Sequence, residues 1–175
     1  PFLLIYQKPK NYSVGNHIQV WILGCSELSS GIFVAQDMSK PLVSILMNCY
    51  NGEKYLCEAI DSICSQTYNN WEVIFWDNAS TDDSSNIAQS YDERVKYHLA
   101  PKTTPLGEAR NLALKKTTGK YVAFLDCDDI YLPDKLEKQV QLMETSSYAM
   151  CYGSVITINE KGEEIRRITV KNRSG

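Results

Sequence analysis

Three carboxylates, Asp126, Asp128 and Asp129, fall within four residues, directly after the apolar run Tyr121-Val122-Ala123-Phe124-Leu125. Crowded this closely, they repel one another and lose solvation unless a cation sits among them. Oxygen-only ligation suits a hard divalent ion, Mn2+ or Mg2+, which keeps several waters and takes further oxygens from a bound phosphate. The stretch reads as a metal-diphosphate site held by Asp126 and Asp128; a solvated acidic turn ahead of the next helix is the plainer alternative. Two more polar clusters follow apolar runs in the same way: Asn48-Cys49-Tyr50-Asn51-Gly52 and Asp77-Asn78-Ala79-Ser80-Thr81-Asp82-Asp83. Asp77 and Asn78 suit the ring edge and ribose hydroxyls of a nucleotide, and Tyr50 suits stacking on its base. Any one such loop is weak evidence, since loops at strand ends are polar for solvation. Neither G-x-G-x-x-G nor G-x-x-x-x-G-K-[ST] occurs, which argues against dinucleotide and P-loop sites. Phosphate charge then falls to the cation and to a base such as Arg110.

The elements that must position these groups alternate. Leu42 to Met47, Trp71 to Trp76, Val95 to Leu99 and Tyr121 to Leu125 read as buried strands. Between them, Glu53 to Gln66 places Leu56, Ala59, Ile60, Ile63 and Cys64 on one helical face, and Asp82 to Ser90 reads as a short helix. Leu106 to Thr117 is helical, with Leu106, Ala109, Leu112 and Ala113 inward, and Gly119 closes it. Pro133 suits the first position of a helix to about Thr145 with Leu136, Val140 and Met143 inward. Ala149 to Ile158 and Glu164 to Val170 read as strands joined by a turn at Asn159-Glu160-Lys161-Gly162. Four alternations of strand and helix imply a mostly parallel sheet flanked by helices. In such a sheet ligands bind outside the carboxyl ends of the strands, where the three polar loops lie.

Residues 1–40 carry no chemical motif. Phe2 to Tyr6 and Ile18 to Leu23 are strand candidates, Gln7 to Asn16 and Ser26 to Ser30 are loops, and Ser39-Lys40-Pro41 reads as a boundary. The domain is expected over 41–175, with 1–40 as an extension or the tail of a preceding segment. The 175 residues suffice for one domain with a sizeable core, and a net charge of −3 gives no general basic field for nucleic acid. Six cysteines without a C-x-x-C pair, and only two histidines, argue against zinc. Four of the six lie in apolar stretches, so reduced, buried thiols and a cytoplasmic setting are expected. No run is long enough to span a membrane. The opening Pro-Phe-Leu-Leu-Ile-Tyr is unlike a signal peptide and suggests an internal fragment.

Taken in order, P-L-V-S-I-L-M-N-C-Y-N (41–51), S-Q-T-Y-N-N-W-E-V-I-F-W-D-N-A-S-T-D (65–82), G-E-A-R-N-L-A-L (107–114) and G-K-Y-V-A-F-L-D-C-D-D-I-Y-L-P-D-K-L (119–136) resemble the family-2 glycosyltransferases. The resemblance covers about residues 41 to 168. It implies the GT-A fold, a Rossmann-like nucleotide-binding sheet with a C-terminal β-hairpin. Asn48 and Tyr50 match positions lining the nucleoside pocket. Asp77 and Asn78 match the acidic pair after the second strand, whose second member contacts the base; here Asn stands where Asp is usual. Arg110 matches the A-R-N arginine near the diphosphate. Asp126-Cys127-Asp128 matches the D-x-D signature, with Asp128 the surer metal ligand.

The resemblance further implies inverting transfer of sugar from a nucleotide-diphosphate sugar, with a UDP-sugar the first expectation, to a hydroxyl of a glycan or lipid-linked acceptor. The setting it suggests is surface polysaccharide synthesis at the inner face of a membrane. No residue here is convincing as the catalytic base, which is expected beyond Gly175. Glu160, Glu163 and Glu164 read as turn charges, Asp129 and Asp134 as helix caps, and His98 as a strand residue. A binding or scaffolding domain without turnover and a nucleotidyltransferase are the competing readings. A bare sheet edge would also favour homodimerisation.

Overall fold

The structure, a computed structural model, describes residues 4–7, 40–159 and 161–169. The loops and second strand candidate expected within 8–39 lie outside the described residues. A six-stranded sheet has the order β4-β3-β2-β5-β1-β6. Its strands are β1 (Leu4–Gln7), β2 (Val43–Cys49), β3 (Trp71–Asp77), β4 (Val95–Leu99), β5 (Tyr121–Phe124) and β6 (Met150–Tyr152). Strands β4, β3, β2 and β5 are mutually parallel, while β1 runs antiparallel between β5 and β6. Helices α1 (Glu53–Cys64), α2 (Ser84–Gln89), α3 (Leu106–Leu114) and α4 (Lys135–Thr145) connect them.

All seven positions of β2 and of β3 are buried, which is why both read as unbroken apolar runs rather than alternating ones. Alternate side chains feed two layers. Val43, Ile45 and Met47 join Leu56, Ile60 and Ile63 of α1 and Leu136, Val140 and Met143 of α4. Leu46, Ile74 and Val122 face Ala109 and Ala113 of α3 on the other side. The small residues of α3 let it lie close to the sheet. Because β2 has β3 on one side and β5 on the other, with α1 and α3 on opposite faces, the chain reverses its winding at β2. Doubly wound sheets open a crevice at such a point, beyond the strands' carboxyl ends.

At the opposite end of the sheet, a buried polar cluster sets the register of β2, β3 and β5. Glu72 accepts hydrogen bonds from the Ser44 hydroxyl (2.5 Å), the Thr118 amide (2.9 Å) and the Lys96 ammonium (2.6 Å). Ser44 Oγ in turn accepts from the Gly119 amide at 2.8 Å. A Cβ on Gly119 would stand 2.6 Å from Leu42 O and 2.7 Å from Ser44 N, so this approach requires glycine. Burial would raise the Glu72 carboxyl; Lys96, Ser44 and Thr118 outweigh it and hold the group at about 2.

Several boundaries differ from the sequence reading for local reasons. The expected strand 149–158 breaks at Gly153-Ser154: β6 stays in the main sheet, whereas β7 (Val155–Ile158) pairs with β8 (Glu164–Ile168) in a separate hairpin. Helix α4 begins at Lys135, after Pro133 and the N-cap Asp134, rather than at Pro133. Leu106, expected inward, is exposed, because it opens α3 where the helix overhangs the sheet edge. Cys64 is exposed as well as Cys57, so the described thiols are free but only Cys49 and Cys151 are buried.

Candidate functional site

Four loops leave the carboxyl ends of the parallel strands, one more than the sequence reading counted. The loops after β2 and β3 are stitched together. Asn51 Oδ1 accepts from the Thr81 amide (2.8 Å), and Ser80 Oγ accepts from the Asn51 amide (3.0 Å). Helices α1 and α2 then cap each other: Asp82 Oδ2 accepts from the Glu53 amide at 2.9 Å, and Glu53 Oε2 accepts from the Asp83 amide at 2.8 Å. Each carboxylate thus meets the positive end of the other helix. Asp83, at the N-cap of α2, makes no side-chain capping bond to its own helix. Asn51 (φ 54°) and Ala79 (φ 65°) hold left-handed backbone that side chains rarely adopt. Two such residues at facing loop tips mark a place where the surroundings enforce strain.

Beside this platform lies a cavity of about 240 Å³, lined by Asn48, Tyr50, Asn78, Thr103, Thr104, Leu106 and Ala109 among others. Tyr50 is exposed at its mouth, and Asn48 is 8% exposed with Nδ2 buried and unpartnered. An unpaired buried amide is costly and favours a ligand that pairs with it. Asp77 is buried and accepts from the Ser80 amide (2.7 Å) and the Tyr97 hydroxyl (2.6 Å), so it fixes the second loop. Asn78 also borders the cavity, but its amide is already used. Nδ2 donates to Thr104 O (2.8 Å), and Oδ1 accepts from the Thr104 amide (3.1 Å) and hydroxyl (3.2 Å). The geometry therefore gives Asn78 the task of holding the loop after β4 against the loop after β3. Thr103 and Thr104 were missed in the sequence, although the parallel direction of β4 places their loop on this same edge.

The acidic loop after β5 lies beyond β2. Arg110, from α3, forms an ion pair with Asp126 at 2.7 Å, each side chain about a third exposed. Asp128 is exposed and has no hydrogen bond or ion pair among the described residues. Asp129 is half-buried; desolvation, then the charges of Asp128 and Asp126, push its carboxyl up to about 6. Among the described residues, Arg110 is the cation that pairs with these carboxylates. No three His, Cys, Asp or Glu side chains among the described residues converge to hold a metal ion. A sparse donor set of one or two carboxylates nevertheless fits a Mg2+-like ion, which completes its shell with water and phosphate oxygens. Between the two aspartates, Cys127 reaches back toward Cys49 at the end of β2, both sulfurs lying beside Gly52, and the Cys49 thiol donates to Ser84 Oγ at 3.5 Å. The neighbouring Cys127 thiol holds the Cys49 thiol below its usual range against its burial, while Cys49 and burial push the Cys127 thiol up.

His98 stacks obliquely on Trp76 in β4, where burial and then the lysines Lys116 and Lys96 lower its pKa. Asp134 pairs with Lys138 on the surface of α4 at 2.6 Å. Neither borders the cavity.

This geometry has counterparts in known proteins. A Haemophilus influenzae protein named an uncharacterized glycosyltransferase is 38% identical over 139 residues, covering 78% of this chain and 56% of its own. The Escherichia coli protein WfgD, named a UDP-Glc:alpha-D-GlcNAc-diphosphoundecaprenol beta-1,3-glucosyltransferase, is 37% identical over 123 residues, covering 70% of this chain and 49% of its own. The chain thus spans about half the length of these curated relatives. Among solved structures, Staphylococcus aureus TarS 1-349 in complex with UDP-GlcNAc superposes with a TM-score of 0.57 at 29% identity, over 59% of this chain and 31% of that one. The mannosyltransferase PcManGT of Pyrobaculum calidifontis, in complex with GDP-Man and Mn2+, shares the fold with a TM-score of 0.57 at 24% identity, over 69% of this chain and 36% of that one. The mostly parallel sheet with flanking helices is the GT-A architecture of these neighbours. The model of glycosyl transferase family 2 matches residues 44–174, and the chain belongs to that family.

Proposed function

We propose that this chain is the donor-binding part of a glycosyltransferase that moves a sugar, with inversion, from a nucleoside-diphosphate sugar to an acceptor hydroxyl. The observation that carries the reading is the cavity at the winding reversal of the sheet, with Asp128, which makes no hydrogen bond or ion pair among the described residues, across β2 from it. The base enters between Tyr50 and the Leu106–Ala109 wall, where the free Asn48 amide meets a polar edge of the ring. The diphosphate runs toward the β5 loop. There Asp128 and Asp126 would hold a divalent ion, Mn2+ or Mg2+, whose positive charge offsets that of the leaving diphosphate when bound. Arg110 turns from Asp126 to a phosphate oxygen, a stronger and bidentate partner. UDP is the expected nucleotide, in keeping with the UDP named for the S. aureus and E. coli relatives. The latter's lipid-diphosphate acceptor supports a lipid-linked or glycan acceptor. Surface polysaccharide synthesis on the cytoplasmic side of a membrane is the setting we propose with it.

A second reading, nucleotide-sugar binding without turnover, is favoured by one fact: among the described residues, no carboxylate or imidazole lines the cavity to take the acceptor's proton. Thermal unfolding with UDP, GDP, dTDP and CDP, each with and without Mn2+, tests the shared premise. A ligand at about 100 times its dissociation constant adds about 2.7 kcal/mol, a midpoint rise of about 5–11 °C at this size. A metal-dependent rise with one nucleotide is the expected result, and no rise with any of the four contradicts both readings. Release of UDP from a UDP-sugar by the full-length protein, dependent on acceptor, then separates transferase from scaffold.

A further inference from the structure

Cys49 and Cys127 stand in an arrangement that nucleotide binding does not require. The pairing of β2 with β5 runs from Val43 opposite Tyr121 to Leu46 opposite Phe124. Beyond that pairing the chain leaves β5, and Cys127 lies in the turn three residues on, beside Cys49 at the end of β2. Their side chains emerge on the α1 face, where Cys49 belongs to the core and Cys127 packs against it. A Cβ on Gly52 would stand 2.7 Å from the Cys49 sulfur and 2.8 Å from the Cys127 sulfur, so both thiols lie beneath the first turn of α1. Two sulfurs this close to one point are within reach of a bond, which a Cα separation of about 4.4–6.8 Å allows. A helix N-terminus also favours thiolate, the reacting form. Cys57 and Cys64, both exposed, are seven residues apart on α1, about 10 Å along the axis.

We propose that Cys49 and Cys127 form a dithiol–disulfide site, oxidised by a small disulfide, that ties the 126–129 loop to the end of β2. One thiol of the pair, as thiolate, attacks one sulfur of the reagent, breaks its S–S bond and releases one thiol. The other then attacks the protein sulfur of this mixed disulfide and expels the second thiol. The two protein thiols lose two protons and two electrons, and the reagent's disulfide gains both and leaves as two thiols. The new bond anchors the loop between the carboxylates of Asp126 and Asp128.

The test is to equilibrate the protein with glutathione disulfide and glutathione, trap free thiols by alkylation, and map peptides by mass. The expected product is a Cys49–Cys127 cross-link that has lost two hydrogens and that dithiothreitol reverses. Cys57 and Cys64 carry glutathione adducts instead. Hydrogen exchange at amides 126–129 is slower in the cross-linked form. Glutathione on Cys127 without a cross-link, a cross-link to another cysteine, or unchanged exchange overturns the proposal. Cys127→Ser serves as a control in which the cross-link is absent, and Gly52→Ala, which pushes the sulfurs aside, reduces its yield.

Discussion

Replacing Asn78 by Asp separates two accounts of that residue. In the family resemblance this position contacts the base, and Asp is the usual residue. In the structure Asn78 clamps Thr104 with one donated and two accepted hydrogen bonds, and its side chain is almost wholly buried. Asn78→Asp keeps the two accepted bonds but loses the donor, and sets a carboxylate oxygen against Thr104 O, 2.8 Å from the present Nδ2. Leaving a buried carbonyl unpaired costs about 1–3 kcal/mol. At this chain length that lowers the unfolding midpoint by about 2–12 °C. The deficit shrinks in acid, because the introduced carboxyl, once protonated, regains an O–H to donate. Thermal unfolding at pH 7.5 and pH 4, paired with nucleotide titration at 25 °C, reads both effects. An Asn78→Asp protein with unchanged stability and a new base preference would refute the clamp and restore the base-contact role.

Other consequences follow from the same packing. Glu72 has a folded pKa near 2, below the usual carboxylate value, so its contribution is complete above about pH 4.5 and is lost as the pH falls toward 2. Its loss removes about 3 kcal/mol in that window; urea unfolding between pH 2.5 and 6 should show a flatter acid limb for Glu72→Gln than for the natural chain, and equal slopes would contradict the assignment. Glu53→Ala and Asp82→Ala should each cost about 0.5–2 kcal/mol as lost helix caps. The double variant should cost less than their sum if the reciprocal capping is real, and strict additivity would argue against it. The hairpin β7–β8 is exposed along its whole second strand, including Ile165 and Ile168. Light scattering of this 175-residue chain should show concentration-dependent dimers, and a monomer at high concentration would exclude that edge as a pairing surface.

The parallel sheet could be read from sequence because β2 and β3 are buried on both faces and so appear as continuous apolar runs, with amphipathic helices between them. Loop placement then followed from strand direction alone. The break after Tyr152 was hidden because β-branched residues continue through Val155–Ile158, and only Gly153 interrupts them. Leu106 misled because helical period alone does not reveal that the first turn of α3 overhangs the sheet. At the site, residue type identified the polar groups but not their partners. Asn78 is spent on Thr104, Arg110 on Asp126, and Asp82 on the neighbouring helix, all contacts between loops distant in sequence. The approach of Cys127 to Cys49 lay outside the strand pairing, because Cys127 follows the end of β5 in the turn, and residue type alone did not place it there.

The most direct test of the donor-site account is calorimetric titration of UDP into the protein with Mn2+ present, repeated for Asp128→Ala. Asp128 makes no hydrogen bond or ion pair among the described residues, so its removal should leave the fold and the unfolding midpoint unchanged. The account predicts Mn2+-dependent UDP binding by the natural chain and loss of that dependence in Asp128→Ala. Equal Mn2+-dependent affinity in both proteins, with both folded, would contradict it.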